Sequence, residues 1–136
     1  MKILVPIDGS KYSDKALIHA CELAKIQKAT LTIIYVVDKS MGIDLFDRSE
    51  YLSILRKYGK NALKRAAKIA LKSGITTKQI IKEGKIADEI VKFAKKDSSN
   101  LIVAGCKGLR AISKFLLGSL STKLASHSPC ATLIVK

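Results

Sequence analysis

The sequence predicts an open α/β sandwich around a five-stranded parallel sheet, and three observations predict it. Apolar, β-branched runs such as TLTIIYVVD (30–38) do not alternate with polar residues, which marks strands buried on both faces. Stretches with helical periodicity separate these runs, so each strand leads into a crossover of helical length. The chain has 136 residues and is 48% hydrophobic, enough for one good core and too apolar for disorder.

KILVPID (2–8), an apolar run closed by a Pro and an Asp, reads as the first buried strand. In SKYSDKALIHACELAKIQK, Leu17, Ala20, Cys21 and Ala24 fall at i, i+3, i+4 and i+7, giving an amphipathic helix with Ser10 or Ser13 as N-cap. Residues 30–38 form the second strand. Residues 39–49 hold Gly42, Asp44, Asp47 and Ser49 and read as a connector. A long helix runs from about Glu50 to Lys72, with Leu55, Ala62, Ala66, Ile69 and Ala70 facing inward and Gly74 as C-cap. TTKQIIKEG (76–84) is shorter and more polar, as suits a sheet edge. KIADEIVKFAKKD (85–97) is a helix with Ile86, Ile90, Val91 and Ala94 inward. NLIVAG (100–105), SLSTKLASHS (119–128) and ATLIVK (131–136) complete the alternation as strand, helix and strand. No repeat or linker interrupts it, so residues 1–136 read as one domain built on right-handed crossovers.

Composition narrows the function. Aromatics are 5% and Trp is absent, leaving little for stacking bases or sugars. Cys21, Cys106 and Cys130 are an odd set with no close pair, which argues against a disulfide framework or zinc site and for a reducing cytoplasm. His19 and His127 have no partner at metal-ligand spacing. The apolar run in MKILVPIDGS is too short for a signal peptide, and no segment approaches the roughly 20 apolar residues of a membrane span. Lys plus Arg is 25 against 11 acids, a net charge of +14 that attracts polyanions.

The segment GCKGLRAISKFLLGSLS (105–121) carries the chemistry. Gly105 and Gly108 let the backbone turn and let a ligand approach without a Cβ in the way. Gly118 and Ser119 open a helix, whose free N–H groups and positive dipole end hold phosphate oxygens, with Ser119 and Ser121 as added hydroxyl donors. Lys107, Arg110 and Lys114 supply countercharge, and Leu109, Ile112, Phe115 and Leu116 are expected to anchor the loop. Ligands of open parallel sheets bind beyond the strands' carboxyl ends where strand order reverses. If strands one and four are neighbours, this loop faces Pro6, Ile7, Asp8, Gly9 and Ser10 across such a crevice.

Gly105-x2-Gly108-x9-Gly118-Ser119, in its strand–loop–helix setting, resembles the nucleotide-binding signature of the universal stress protein family, ATP-binding branch. The likeness covers nearly the whole chain: ILVPIDGS, EGKIADEIVKFA, NLIVAG and LGSLSTKLASHSPCATLIVK resemble that family's corresponding segments. The resemblance implies strand order 3-2-1-4-5, a homodimer paired through the last strand, and ATP with Mg2+ as ligand. It implies Asp8 at the nucleotide edge, Pro6 and Ile7 beside base or ribose, and the Val36 backbone on adenine. Ala104 and Gly105 fall beside the ribose; Gly108, Gly118, Ser119, Leu120 and Ser121 form the phosphate cradle. Cys106 departs from the family's usual Ser or Thr. SPCATLIVK also differs from the more common placement of Pro after Cys.

Plainer readings stand beside these. Asp8 suits a helix cap or the Gly9 turn as well as a ligand edge. Lys107, Arg110 and Lys114 each suit a solvated face, and Cys106 suits a small space-filler. No P-loop motif and no paired carboxylates or His/Asp constellation occur, so slow ATP hydrolysis is the most to expect, and a phosphotransferase ranks last. A second reading comes from residues 51–82, which hold nine Lys or Arg and no acid. Arg56, Lys60, Lys64, Lys68 and Lys72 recur every fourth residue as a basic ridge. That is a solvated helix face or a surface for nucleic acid, an acidic protein or an anionic membrane. No RNP-like pattern accompanies it.

Overall fold

Among the described residues nine elements alternate: β1 (Lys2–Pro6), α1 (Lys11–Gln27), β2 (Thr30–Asp38), α2 (Arg48–Lys72), β3 (Thr77–Gly84), α3 (Ile86–Asp97), β4 (Leu101–Gly105), α4 (Ser119–His127) and β5 (Ala131–Val135). The computed structural model describes residues 1–40, 48–109 and 116–136. All strand pairs are parallel, and the sheet order is β3-β2-β1-β4-β5, as the sequence resemblance implied.

Alternation along each strand decides which helix layer it meets. Ile3, Val5, Leu31, Ile33 and Val37 point to one face, where α1 and α2 cover them. Leu4, Ile34, Val36, Ile102 and Ala104 point to the other, beneath α3 and α4. Helix α1 offers the sheet Ala16, Leu17, Ala20, Cys21 and Ala24, all buried, so small side chains bring its axis close. Cutting a fully buried residue such as Leu17 or Ile33 to Ala would cost about 2–5 kcal/mol.

The caps follow from local chemistry. Of the two candidate serines, Ser10 caps α1, its hydroxyl accepting from Ser13 N at 3.2 Å. Gly74 ends α2 with φ +75°, the left-handed conformation expected of a glycine there. Lys28 and Ser98 take that conformation after α1 and α3 without being glycine.

Three details differ from the sequence reading. Strand β1 stops at Pro6 rather than Asp8, because the Asp8 carboxylate turns back to accept from Ser10 N. Ile86, expected inward, is 37% exposed, since it occupies the first turn of α3 before the helix meets the sheet. The buried stripe of α2 includes Leu52, Gly59 and Leu63, while Leu55 and Ile69 are only half-buried. Strand β3 is the edge its polarity predicted.

Candidate functional site

The site begins with a fork in the sheet. Strand β1 is in register with β2 along five residues, Lys2 to Pro6, but with β4 only at Ile3–Leu101 and Leu4–Ile102. Ile7 N donates to Ile34 O on the β2 side, so by alternation the preceding nitrogen faces β4. Pro6 has no N–H to offer there. Beyond Leu4 the two strands separate, and the chain's order reverses across this gap, with β2 on one side of β1 and β4 on the other.

Two loops close over the fork. After β1, Asp8 Oδ1 accepts from Ser10 N at 2.8 Å, and Gly9 turns the chain with φ +84°. After β4, Gly105 lies so near α1 that a Cβ would fall 2.7 Å from the Tyr12 carbonyl carbon. Cys106 N donates to Val135 O at 2.8 Å, binding the loop's first residue to β5. A Cβ on Gly108 would stand 2.9 Å from Asp8 Oδ2. The Asp8 carboxylate therefore fixes its own turn with one oxygen and meets the bare backbone of the opposite loop with the other.

The far end of the glycine segment returns to the same place. Gly118 N donates to Cys106 O at 2.7 Å, and a Cβ there would crowd Lys107 Cα at 3.2 Å and that carbonyl at 3.3 Å. Ser121 is 1% exposed, and its hydroxyl donates to Cys106 O and Gly118 O, each at 3.0 Å. That hydroxyl therefore clamps the loop ends together, rather than standing free as the added donor the sequence suggested. Gly118 caps α4 without any side chain to accept from the first-turn amides. Ser119 is exposed beside them, and Leu120 packs into the α3–α4 core.

The remaining predicted residues divide. Val36 lies two residues beyond Ile34, the partner of Pro6, at the carboxyl end of β2 beside the fork. Ala104 is buried and Lys107 half-buried. Pro6 and Ile7 are buried in the fork's floor. Cys106 is buried, as a space-filler would be. Leu109 and Leu116 are 61% and 71% exposed, so neither anchors the loop as expected. Arg110, Ile112, Lys114 and Phe115 lie outside the described residues.

Two tyrosines on the α2 side support the site and escaped the sequence reading. Tyr58 donates its hydroxyl to Asp8 O at 3.0 Å, and any Cβ at Gly9 would collide with that hydroxyl. Its ring packs against Tyr35 with centroids 5.9 Å apart. Burial, with Tyr58 and Asp8 adding to it, pushes the Tyr35 hydroxyl up to about 12. A signal existed in Tyr58 itself, an aromatic about three turns into a basic helix, but pairing it with Asp8 required the fold. Nearby, Arg56 grips Glu83 with two hydrogen bonds of 2.7 and 2.8 Å, and Lys39 Nζ joins at 3.0 Å. Those two cations, Arg56 foremost, hold the Glu83 carboxyl down at about 2.

Comparison with known proteins bears on the family and the fold. A model of the universal stress protein family matches residues 1–136. A universal stress protein of Methanocaldococcus jannaschii is 38% identical over 138 residues, covering 99% of this chain and 81% of the relative. The structure of UspA from Lactobacillus plantarum superposes with a TM-score of 0.89 at 28% identity, covering 100% of this chain and 97% of that one. A crystal structure of a universal stress protein in complex with cAMP has a TM-score of 0.79 at 26% identity, covering 100% and 97%. The family match over the whole chain and a relative 38% identical along nearly all of it coincide with the fold, and the protein belongs to the universal stress protein family.

Proposed function

We propose that the protein is a cytoplasmic, nucleotide-dependent stress-response module that binds ATP with Mg2+ at the β1–β4 fork and hydrolyses it slowly at most. One observation carries this reading. Gly108 presents bare backbone to Asp8 directly beside a helix terminus that Gly118 leaves without a side-chain cap. Backbone amides with no Cβ in front of them, at the positive end of a helix, suit phosphate oxygens. The neighbour crystallised with cAMP supports an adenine nucleotide as the class of ligand.

The base would lie toward the Val36 backbone and the ribose toward Ala104 and Gly105, with phosphates on Gly108 and the amides of Ser119, Leu120 and Ser121. Lys107 and Arg110 would supply countercharge. Among the described residues no three His, Cys, Asp or Glu gather to hold a metal. Mg2+ would therefore travel on the phosphates, as Mg2+ commonly does, with Asp8 the carboxylate placed to meet it. Among the described residues no helix is long and apolar enough to cross a membrane.

Thermal unfolding with and without Mg-ATP tests this in the wild type and in a Gly118→Ala, Ser119→Ala variant. Nucleotide at one hundred times its Kd stabilises by about 2.7 kcal/mol. The wild type should shift accordingly, and the variant, whose loop is pushed off Cys106 and Lys107, should lose most of the shift. Equal shifts in both proteins, or none in the wild type, would overturn the assignment. AMP and cAMP in parallel would rank the ligands.

A further inference from the structure

We propose that the outer face of α2 is a docking surface for the phosphate backbone of duplex nucleic acid, separate from the nucleotide fork. The protein's positive charge is segregated by layer. Helix α1 holds Lys11, Lys15 and Lys25 against Asp14 and Glu22, and α2 holds eight Lys or Arg against Glu50 alone, an excess of eight for that layer. On the opposite layer α3 balances three lysines with three acids, and α4 adds only Lys123. Among the described helices, the sheet thus separates a strongly basic layer from a nearly neutral one.

Within the basic face, Lys60, Lys64, Lys68 and Lys72 are exposed and form one row. Four residues of helix advance about 6 Å, so the row is about 18 Å long. Laid along a duplex axis, that length covers about five phosphates of each strand, at about 3.4 Å of axis per phosphate. Among the described residues none of these four side chains has an ion pair or hydrogen bond. The ridge is shorter than its sequence implied, because Arg56 is taken by Glu83. Arg65 is likewise taken by Asp14, which removes a carboxylate that could have quenched the row. An open concavity of about 600 Å³ lies over Asn61, Lys64, Arg65, Lys68, Ile69 and Lys72. Like charges at i, i+4 repel along a helix, and an anion laid across them would relieve that repulsion.

Nucleic acid backbone fits better than the other polyanions. A helix bound in a membrane surface inserts an apolar face, and the apolar face of α2 is already packed on the sheet through Leu52, Ala62, Leu63, Ala66 and Ala70. Protein interfaces are depleted of Lys and enriched in aromatics and Arg, the reverse of this row. Phosphate contacts use Lys and Arg and need no aromatic platform. Tyr58, the exposed aromatic nearest the row in sequence, has its hydroxyl committed to Asp8 O. Binding is therefore to backbone and independent of sequence.

The experiment is a fluorescence-anisotropy titration of the full chain against a labelled 20-base-pair DNA duplex and its RNA counterpart, from 50 to 200 mM salt. Two variants with the same change in net charge are compared with wild type: K60Q/K64Q/K68Q on the ridge and K95Q/K96Q/K123Q on the opposite layer. With four phosphates neutralised, wild-type affinity should fall about 100-fold across that range, at about −0.9 in log–log slope per phosphate. The ridge variant should lose about 2.7 of that slope, and the opposite-layer variant should keep it. Equal loss in both variants would mean diffuse attraction to net charge and would overturn the proposal, as would no duplex binding by wild type at 50 mM salt. Binding confined to phosphatidylserine vesicles, assayed by flotation, would overturn it in favour of a membrane surface. DNA and RNA arms that differ would tell which duplex is preferred. The ridge variant removes repulsion, so its Tm should hold, and its Mg-ATP shift should match wild type.

Discussion

Gly59 sits where a methyl group would drive into the Tyr35 ring. On an exposed helix, exchanging Gly for Ala stabilises by about 1 kcal/mol. Here the ring cannot yield easily, since Tyr35 is buried and held against Tyr58. Overpacking of this kind costs about 1–3 kcal/mol, so Gly59→Ala should destabilise the protein, which urea unfolding would read directly. The loss should shrink when Tyr35→Leu makes room, a coupling that a double-mutant cycle isolates. A stabilised Gly59→Ala protein would mean that the ring moves aside. The same cluster holds the Asp8–Gly9 turn through the Tyr58 hydroxyl. Tyr35 on β2 and the adjacent Tyr58 and Gly59 on α2 thus brace the turn on which nucleotide binding is proposed to depend.

At the scale of elements, Glu83 joins the end of β3 to α2 through Arg56 and to the residue after β2 through Lys39. Its carboxyl titrates at about 2 instead of 4.5, chiefly because Arg56 donates to the charged form. A depressed folded pKa means that the stabilisation is complete above the unfolded value and is lost as pH falls through the folded one. Tm should therefore drop as pH goes from about 4.5 to about 2, and Glu83→Gln should flatten that part of the profile. An unchanged profile would mean that the exposed pair contributes nothing in solution. The elements themselves were legible where one chemistry dominated. The unbroken apolar run of β2 and the i, i+3, i+4 spacing of α1 placed both correctly. What failed depended on partners. Ile86 looked inward because periodicity ignores where a helix first touches the sheet, and Arg56 looked like part of a ridge because Glu83 is 27 residues away. In the site, the glycine spacing could be read in sequence, since missing side chains leave a local mark. Tyr12 behind Gly105 and Tyr58 behind Gly9 could not, since both contacts cross between elements.

At the scale of the molecule, β5 ends the sheet with Ala131 and Leu133 exposed along an edge. Open edges invite a further strand, and a charge placed on one discourages it. A homodimer paired through β5, as the family resemblance implies, predicts a light-scattering mass of twice the 14.8 kDa chain, reduced toward a single chain by Leu133→Lys. A wild-type protein that stays at one chain mass at high concentration would exclude it. The sheet order also bears on time. Gly108, whose backbone Asp8 faces, is synthesised one hundred residues after it. At about 5–20 residues per second on the ribosome, Asp8 waits about 5–20 s for its counterpart. Until β4 emerges, β1 lacks one of its two neighbours and the fork does not exist. The nucleotide proposed for that fork cannot guide the chain before β4 emerges, and it can recognise the protein only after both halves of the sheet have met.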